Sequence, residues 1–400
     1  MSDNMQTIQK LEHQYAKKFE EICDYIFRNP ELGGEEEKAA AYLMETMKAE
    51  GFSIIYPYGS EKTAFRAEFR NGDGPVIGFL AEYDALPGYG EDGGPGHACG
   101  HNWIAAVTAG AAIILAQMKE CFSGTVVLIG TPAEENYNGK ANMIKDGCFD
   151  DLDVALQAHL EEKTDIMPTS LAMDSLRFTF IGRAAHAAQY PQDGINALDA
   201  ARLTFAGIDA LRQHVLPDIR IHGIITKGGI VPNVVPAEAV CEFYVRGRNR
   251  EYVNEVTGKV KNCAMGAALM TGASCQVEMP DASVDNLIPL KTLARISDKN
   301  MKENGFTQVY RTWEPCPGST DLGNVSQICP TLFMEISPGN EIPFAVHDPI
   351  AMKYVNSEVA YRRLHQIVCV LAGSALDLFL DPTQIAAAKE ELAAIKNSMK

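Results

Sequence analysis

The sequence predicts an α/β protein: a mostly parallel sheet flanked by helices, interrupted by an inserted ferredoxin-like βαββαβ domain. Three observations carry this. From the N-terminus to about residue 174, short continuously apolar runs alternate with helical periodicity, as in a sheet covered on both faces. Near residue 175 the runs give way to half-exposed alternation in the order β-α-β-β-α-β. From about residue 290 the first pattern resumes. The chain is therefore read as segments 1–174, 175–290 and 291–400, the outer two forming one discontinuous domain. A chain of 400 residues suffices for two or three domains, each with its own core.

The elements follow in order. Ile8, Leu11, Tyr15, Phe19, Ile22 and Ile26 recur at three- and four-residue steps, predicting a helix over 6–29 that Pro30 ends. A second helix over 35–51 stops at Gly51. Residues 63–70 alternate as a strand, and 76–80 form a continuously apolar one. Small and aliphatic side chains over 103–118 predict a helix. Residues 125–130 and 154–157 are two more buried strands. In the insert, Leu176, Phe178 and Phe180 alternate with Arg177 and Thr179. An amphipathic helix spans 196–213, strands 220–226 and 237–246, a helix 251–270 and a last strand 273–279. Beyond it come a strand at 331–336, a helix at 358–380 and an Ala/Glu/Lys-rich terminal helix over 381–400.

Composition excludes some partners. A formal net charge of −17 argues against nucleic acid and anionic membrane surfaces. No run approaches the ~20 apolar residues of a membrane span. The first residues lack a basic segment followed by an apolar one, so no secretion signal is expected. Ten cysteines without framework spacing fit reduced thiols in a cytoplasm.

The chemistry centres on Gly96-His97-Ala98-Cys99-Gly100-His101-Asn102. Cys99 and His101 stand two apart, so on an extended loop both can face one point. Thiolate and imidazole together are a transition-metal ligand set; a glycine-rich turn with a chance Cys and His reads equally well. Other strand ends add chemically capable residues: Asp84 after the 76–80 strand, Glu134-Glu135 after 125–130, His159 after 154–157. His347 lies in a late loop. In open α/β sheets, ligands bind beyond the carboxyl ends of the strands. Of two adjacent carboxylates, one can bind metal while the other handles a proton; alone, Glu134-Glu135 reads as a solvated acidic turn and His159 as a core histidine.

The set resembles the aminoacylase and carboxypeptidase-type family of dimetal amidohydrolases. Within it, the likeness is to the branch of p-aminobenzoyl-glutamate hydrolase, auxin-conjugate hydrolases and β-alanyl-dipeptide hydrolase. The matching stretches include Asn29-Pro30-Glu31-Leu32-Gly33, residues 82–87, 96–102 and 131–135, Gly182-Arg183-Ala184-Ala185-His186, and residues 196–200 and 220–225. Pro232-Asn233-Val234-Val235-Pro236, Gly318-Ser319-Thr320-Asp321 with its continuation to Ser326, and His347-Asp348-Pro349 complete the order.

The resemblance implies a zinc-peptidase-like catalytic domain with an inserted lid and dimerisation domain. It also implies hydrolysis of the amide bond of an N-acyl amino acid or dipeptide by a homodimer. Cys99, His101, Glu135, His159 and His347 become ligands of two divalent ions (Zn, Mn or Co), with Glu134 the general base and acid. Asp84 orients a ligand. His186 matches a lid histidine that polarises the scissile carbonyl in the partner's site. Asn233 and Arg246 hold the substrate, Arg246 as a fork for its carboxylate, with Gly318 and Ser319 nearby. Two positions depart from many relatives: Asn102 stands where they have Asp, and Gln192 where they have His. Two other readings are weighed: Cys99 as a nucleophile activated by His101, and a non-catalytic metal- or ligand-binding protein.

Overall fold

A computed structural model describes residues 2–307, 309, 318–339 and 342–399. In chain order its elements are α1 (Asp3–Arg28), α2 (Glu37–Ala49), β1 (Ser53–Ile55), β2 (Phe65–Asn71), β3 (Val76–Ala81), α3 (His101–Gln117), β4 (Gly124–Gly130), α4 (Gly139–Lys145) and β5 (Val154–Leu160). Then come β6 (Ala172–Ile181), α5 (Ala197–Leu211), β7 (Arg220–Lys227), β8 (Glu238–Gly247), α6 (Arg250–Thr271) and β9 (Ser274–Glu278). The chain closes with α7 (Lys291–Glu303), α8 (Leu322–Ser326), β10 (Thr331–Ile336), α9 (Glu358–Leu380) and α10 (Thr383–Met399). These divide into two compact units. One comprises Ser170–Asn286 with residues 318–320, the other the rest of the described chain.

The larger unit is built on a six-stranded sheet of order β1-β2-β4-β3-β5-β10. β4, β3, β5 and β10 run parallel, and β1 and β2 are antiparallel additions. Every residue of β4 is buried, as its unbroken apolar run requires. α3 is apolar on all sides, which places it inside its layer; all its residues but Gln117 are buried. Trp103, fully buried, donates its indole N–H to the Ala360 carbonyl at 2.9 Å, tying α3 to α9. α9 is long and apolar enough to cross a membrane by length and composition, but most of it is buried in this unit.

Parallel pairing brings strand ends together. Ala81, the last residue of β3, lies opposite Gly130, the last of β4. Residues 82–84 and 131–135 therefore leave the sheet side by side. His159, near the end of β5, lies opposite Glu335 of β10.

The smaller unit has the order β-α-β-β-α-β. Its four antiparallel strands lie in the order β7-β8-β6-β9, and α5 and α6 cover the sheet. Leu176, Phe178, Phe180, Phe243 and Val245 form its core. Asn196 caps α5 and Asn249 caps α6 through their side-chain oxygens. Gly272, at φ 75°, ends α6 in the left-handed conformation that suits glycine. Asp174 of β6 accepts hydrogen bonds from Arg250, Thr257 and Ser283, a buried charge with partners on several sides.

Candidate metal centre

The larger unit gathers Asp84, Cys99, His101, Glu134, Glu135, His159 and His347 at the carboxyl ends of β3, β4 and β5. Gly100, at φ 82°, makes the left-handed turn by which the Cys99 loop enters α3, with His101 its first residue. His347 is drawn in by its backbone N–H, which donates to the Ala98 carbonyl at 3.0 Å. Among the described residues, three of the four non-glycine residues with positive φ, Ala133, Asn138 and His347, lie at or beside this site. Such local strain gathers where function over-determines geometry.

Cys99 Sγ lies 3.4 Å from His159 Nε2 and 3.3 Å from His347 Nε2. His347 Nε2 is 3.2 Å from Glu135 Oε1, and His101 Nε2 is 3.8 Å from the same oxygen. Among the described residues, three trios of ligand atoms lie here, each within 4.8 Å of one another: Cys99 with His101 and His159, Cys99 with Glu135 and His347, and His101 with Glu134 and Glu135. The first two share the thiol. His101 Nε2 and Glu135 Oε1 are buried without a hydrogen-bond partner, and buried polar atoms are ordinarily satisfied. The donor set of one thiol, three imidazoles and a carboxylate, with orphaned atoms aimed inward, fits divalent transition metals.

Neighbouring groups orient the donors. Asp84 accepts from His101 Nδ1 at 2.7 Å and, through its other oxygen, from the Glu135 backbone N–H at 2.9 Å. One carboxylate thereby fixes an imidazole and the carboxylate pair at once. His159 Nδ1 faces the Leu160 carbonyl at 2.6 Å, leaving Nε2 directed at the thiol.

Negative charge is in excess. Burial, then the charge of Glu135, raises the Glu134 carboxyl well above its ordinary value. Burial opposes ionisation of Glu82 as well, but Lys140, His101 and His159 hold it at about 2. Burial, then Glu135 and Glu134, pushes the Cys99 thiol up. The imidazoles within hydrogen-bond distance of its sulfur are those of His159 and His347, not that of His101, the partner a Cys99 nucleophile would need.

The residues expected to hold substrate lie in the smaller unit. His186 is exposed, and its Nδ1 accepts from the backbone N–H groups of Ala188 and Gln189 at 3.3 and 3.1 Å. The ring proton therefore sits on Nε2. The adjoining loop supplies the Asn233 carbonyl, which accepts from the Ala187 N–H at 3.0 Å. Arg246 of β8 reaches Ser319 Oγ at 3.4 Å and lies over the Tyr244 ring. Its Nε is buried without a partner, and no carboxylate among the described residues pairs with it. Gly318 accepts from the Leu171 N–H at 2.9 Å. Gln192 lies in a short exposed turn.

Sequence reasoning did not single out Glu82, Lys140, Asp321 or Glu36. Lys140 Nζ is 2.5 Å from both Glu82 Oε1 and Asp321 Oδ1, and Glu82, Asp321 and Glu134 converge there. The available signal was position: Glu82 and Asp321 lie inside stretches already matched to the family, and Lys140 follows Glu134-Glu135 closely.

The model of peptidase family M20/M25/M40 matches residues 78–362. The chain is 33% identical to the Xaa-Arg dipeptidase of Mus musculus over 94% of this chain and 89% of that one. It is 36% identical to one of the chains of p-aminobenzoyl-glutamate hydrolase from Escherichia coli over 69% of this chain and 60% of that one. A dinuclear metal-binding peptidase of Bacillus subtilis shares the fold, with a TM-score of 0.70 at 22% identity over 91% of this chain and 99% of that chain.

Proposed function

We propose a substrate class and residue roles from one premise: the chain belongs to peptidase family M20/M25/M40. It is a hydrolase of that family, acting on the amide bond of N-acyl amino acids or dipeptides. The observation that carries the finer reading is the pair of ligand trios sharing Cys99, with Glu134 beside them. Cys99, His101 and His159 would hold one divalent ion, and Cys99, Glu135 and His347 a second; the thiolate favours Zn or Co, and Mn is the third candidate. Bound there, two ions supply Lewis acidity and lower the pKa of a water from ~15.7 towards ~7.

This chain's own groups do the rest. Glu134 takes the proton of the attacking water and returns it to the departing amine. Asp84 keeps the His101 proton on Nδ1 and the ring in place. His186 donates its Nε2–H to the scissile carbonyl oxygen, where negative charge develops. Arg246, which pairs with no carboxylate among the described residues, takes the free carboxylate on the amine side of the substrate, assisted by Asn233, Ser319 and Gly318. The nine described cysteines are all free thiols, which supports a reducing, cytoplasmic setting. A homodimer through β7 is part of the same reading.

Glu134→Gln is expected to lower turnover roughly 10²- to 10⁴-fold while both metal equivalents remain, read by elemental analysis alongside kinetics. Loss of metal in that variant would make Glu134 a ligand and refute the assignment. A screen of N-acyl amino acids, p-aminobenzoyl-glutamate and dipeptides with Zn, Mn and Co identifies the acyl group. Inactivity on all of them, with two metals bound, would favour a binding protein.

A further inference from the structure

Asn29-Pro30-Glu31-Leu32-Gly33 matches the family yet offers no ligand. Its neighbour Glu36 is a fully buried carboxylate that the mechanism does not use. Glu36 stands at the N-terminal boundary of α2, where an acidic side chain ordinarily caps its own helix. It makes no such bond. Glu31 does so instead, accepting from the Lys38 N–H at 2.9 and 3.1 Å and the Ala39 N–H at 3.1 Å. Glu36 is thereby free to turn inward. One oxygen accepts the Ala133 backbone N–H at 2.8 Å, and the other the Thr63 hydroxyl at 2.7 Å.

Ala133 has φ 61°, a left-handed conformation that residues with a Cβ rarely hold, and it immediately precedes Glu134. The same segment braces the turn elsewhere. Asn136 Nδ2 donates to the Gly33 carbonyl at 2.8 Å. A Cβ on Gly33 would come within 2.9 Å of Ala133 Cα, and one on Gly34 within 2.8 Å of the Tyr137 hydroxyl. The segment also holds the other loop of the site, since the Ala85 N–H donates to the Glu31 carbonyl at 2.8 Å. Burial, then the charge on Asp84, raises the Glu36 carboxyl to about 7, so the fold keeps a costly group at this point.

We propose that Glu36 is a positioning residue: through the Ala133 amide, its carboxylate holds the left-handed turn that aims Glu134. This rests on Glu134 being the general base. In the metal-loaded enzyme, Glu36→Ala is expected to lower kcat roughly 10- to 100-fold, the scale of a misplaced catalytic group, with KM and bound metal unchanged. Hydrogen exchange should show residues 131–138 losing protection while β4 keeps it. Glu36→Gln, which retains an oxygen for the amide, should recover most of kcat. Ala133→Gly, which relieves the turn, should blunt the effect of Glu36→Ala. Unchanged kcat and exchange in Glu36→Ala overturn the proposal, as does a kcat loss that tracks metal loss or ignores Ala133→Gly. If Glu36→Ala fails to fold, Thr63→Val removes the other anchor of the carboxylate. It should give the same exchange signature with kcat about three- to tenfold lower, and absence of both overturns the proposal. If Glu134→Gln keeps its turnover, the base assignment fails, whereas the exchange result on 131–138 tests the brace independently.

Discussion

Lys140 has its ammonium fully buried between Glu82 and Asp321, and its backbone N–H donates to the second oxygen of Asp321 at 2.9 Å. A lysine is almost never buried to this extent unless paired. Removing one partner leaves uncompensated buried charge, so Lys140→Met is expected to lower the free energy of unfolding by about 3–5 kcal/mol. Urea denaturation measures it, and adding Asp321→Asn should recover part of the loss; a change below ~1 kcal/mol would mean the carboxylates do not need this cation. The convergence of Cys99, His101, Glu134, Glu135, His159 and His347 was legible in the sequence because thiols, imidazoles and paired carboxylates at strand ends are chemically distinctive. Lys140 was not, because Asn136-Tyr137-Asn138-Gly139-Lys140 has the composition of a solvated turn. Glu36 was hidden among Glu35 and Glu37 for the same reason. Asn102 shows the limit in another form. Its amide nitrogen faces the Val355 carbonyl at 3.2 Å and Cys23 Sγ at 3.1 Å; an ionised Asp there would have no proton to donate, which accounts for the amide in this chain.

Between helices, His365 of α9 ties α9 to α1. Its Nδ1 lies 2.6 Å from Glu12 and its Nε2 3.0 Å from Glu20. Burial alone would lower its pKa, but the Glu12 hydrogen bond and charge, with Glu20, outweigh it and raise the pKa above the ordinary value. A raised folded pKa gives stability that is complete below the unfolded value of ~6.5 and is lost as pH climbs through the folded one. Thermal melts at rising pH should therefore narrow the gap between the parent and His365→Gln; a constant gap would show that this ion pair does not set the dependence. α3 and α9 were legible because their apolar runs are long, and β4 because its run is unbroken. β1, α4 and α8 span only 3, 7 and 5 residues, too few to show a period. Their places are set by what they pack against.

For the molecule as a whole, the insertion was legible because the change from covered to half-exposed strands is a change of period and polarity at once. What pairs with the insert's own edge was expected from resemblance alone. β7 ends one side of its sheet, with Ile224 62% and Ile225 40% exposed, and an open edge of this kind templates another strand. The proposed homodimer predicts that Ile224→Lys with Ile225→Lys shifts the sedimenting species from dimer to monomer; an unaltered dimer would move the interface elsewhere. Mixed dimers of His186→Ala and Glu134→Gln chains should regain activity if the imidazole serves the partner's site. The discontinuity of the larger unit also sets an order of manufacture. A ribosome releases Cys99, His101, Glu135 and His159 well before His347, by roughly ten to forty seconds at ~5–20 residues per second. For most of that interval β5 waits for β10, and throughout it the trio of Cys99, Glu135 and His347 has only two members. A chain terminated between residues 159 and 347, even after the whole insert has folded, is therefore left with the first of these two trios alone, so the complete pair certifies that translation has passed residue 347.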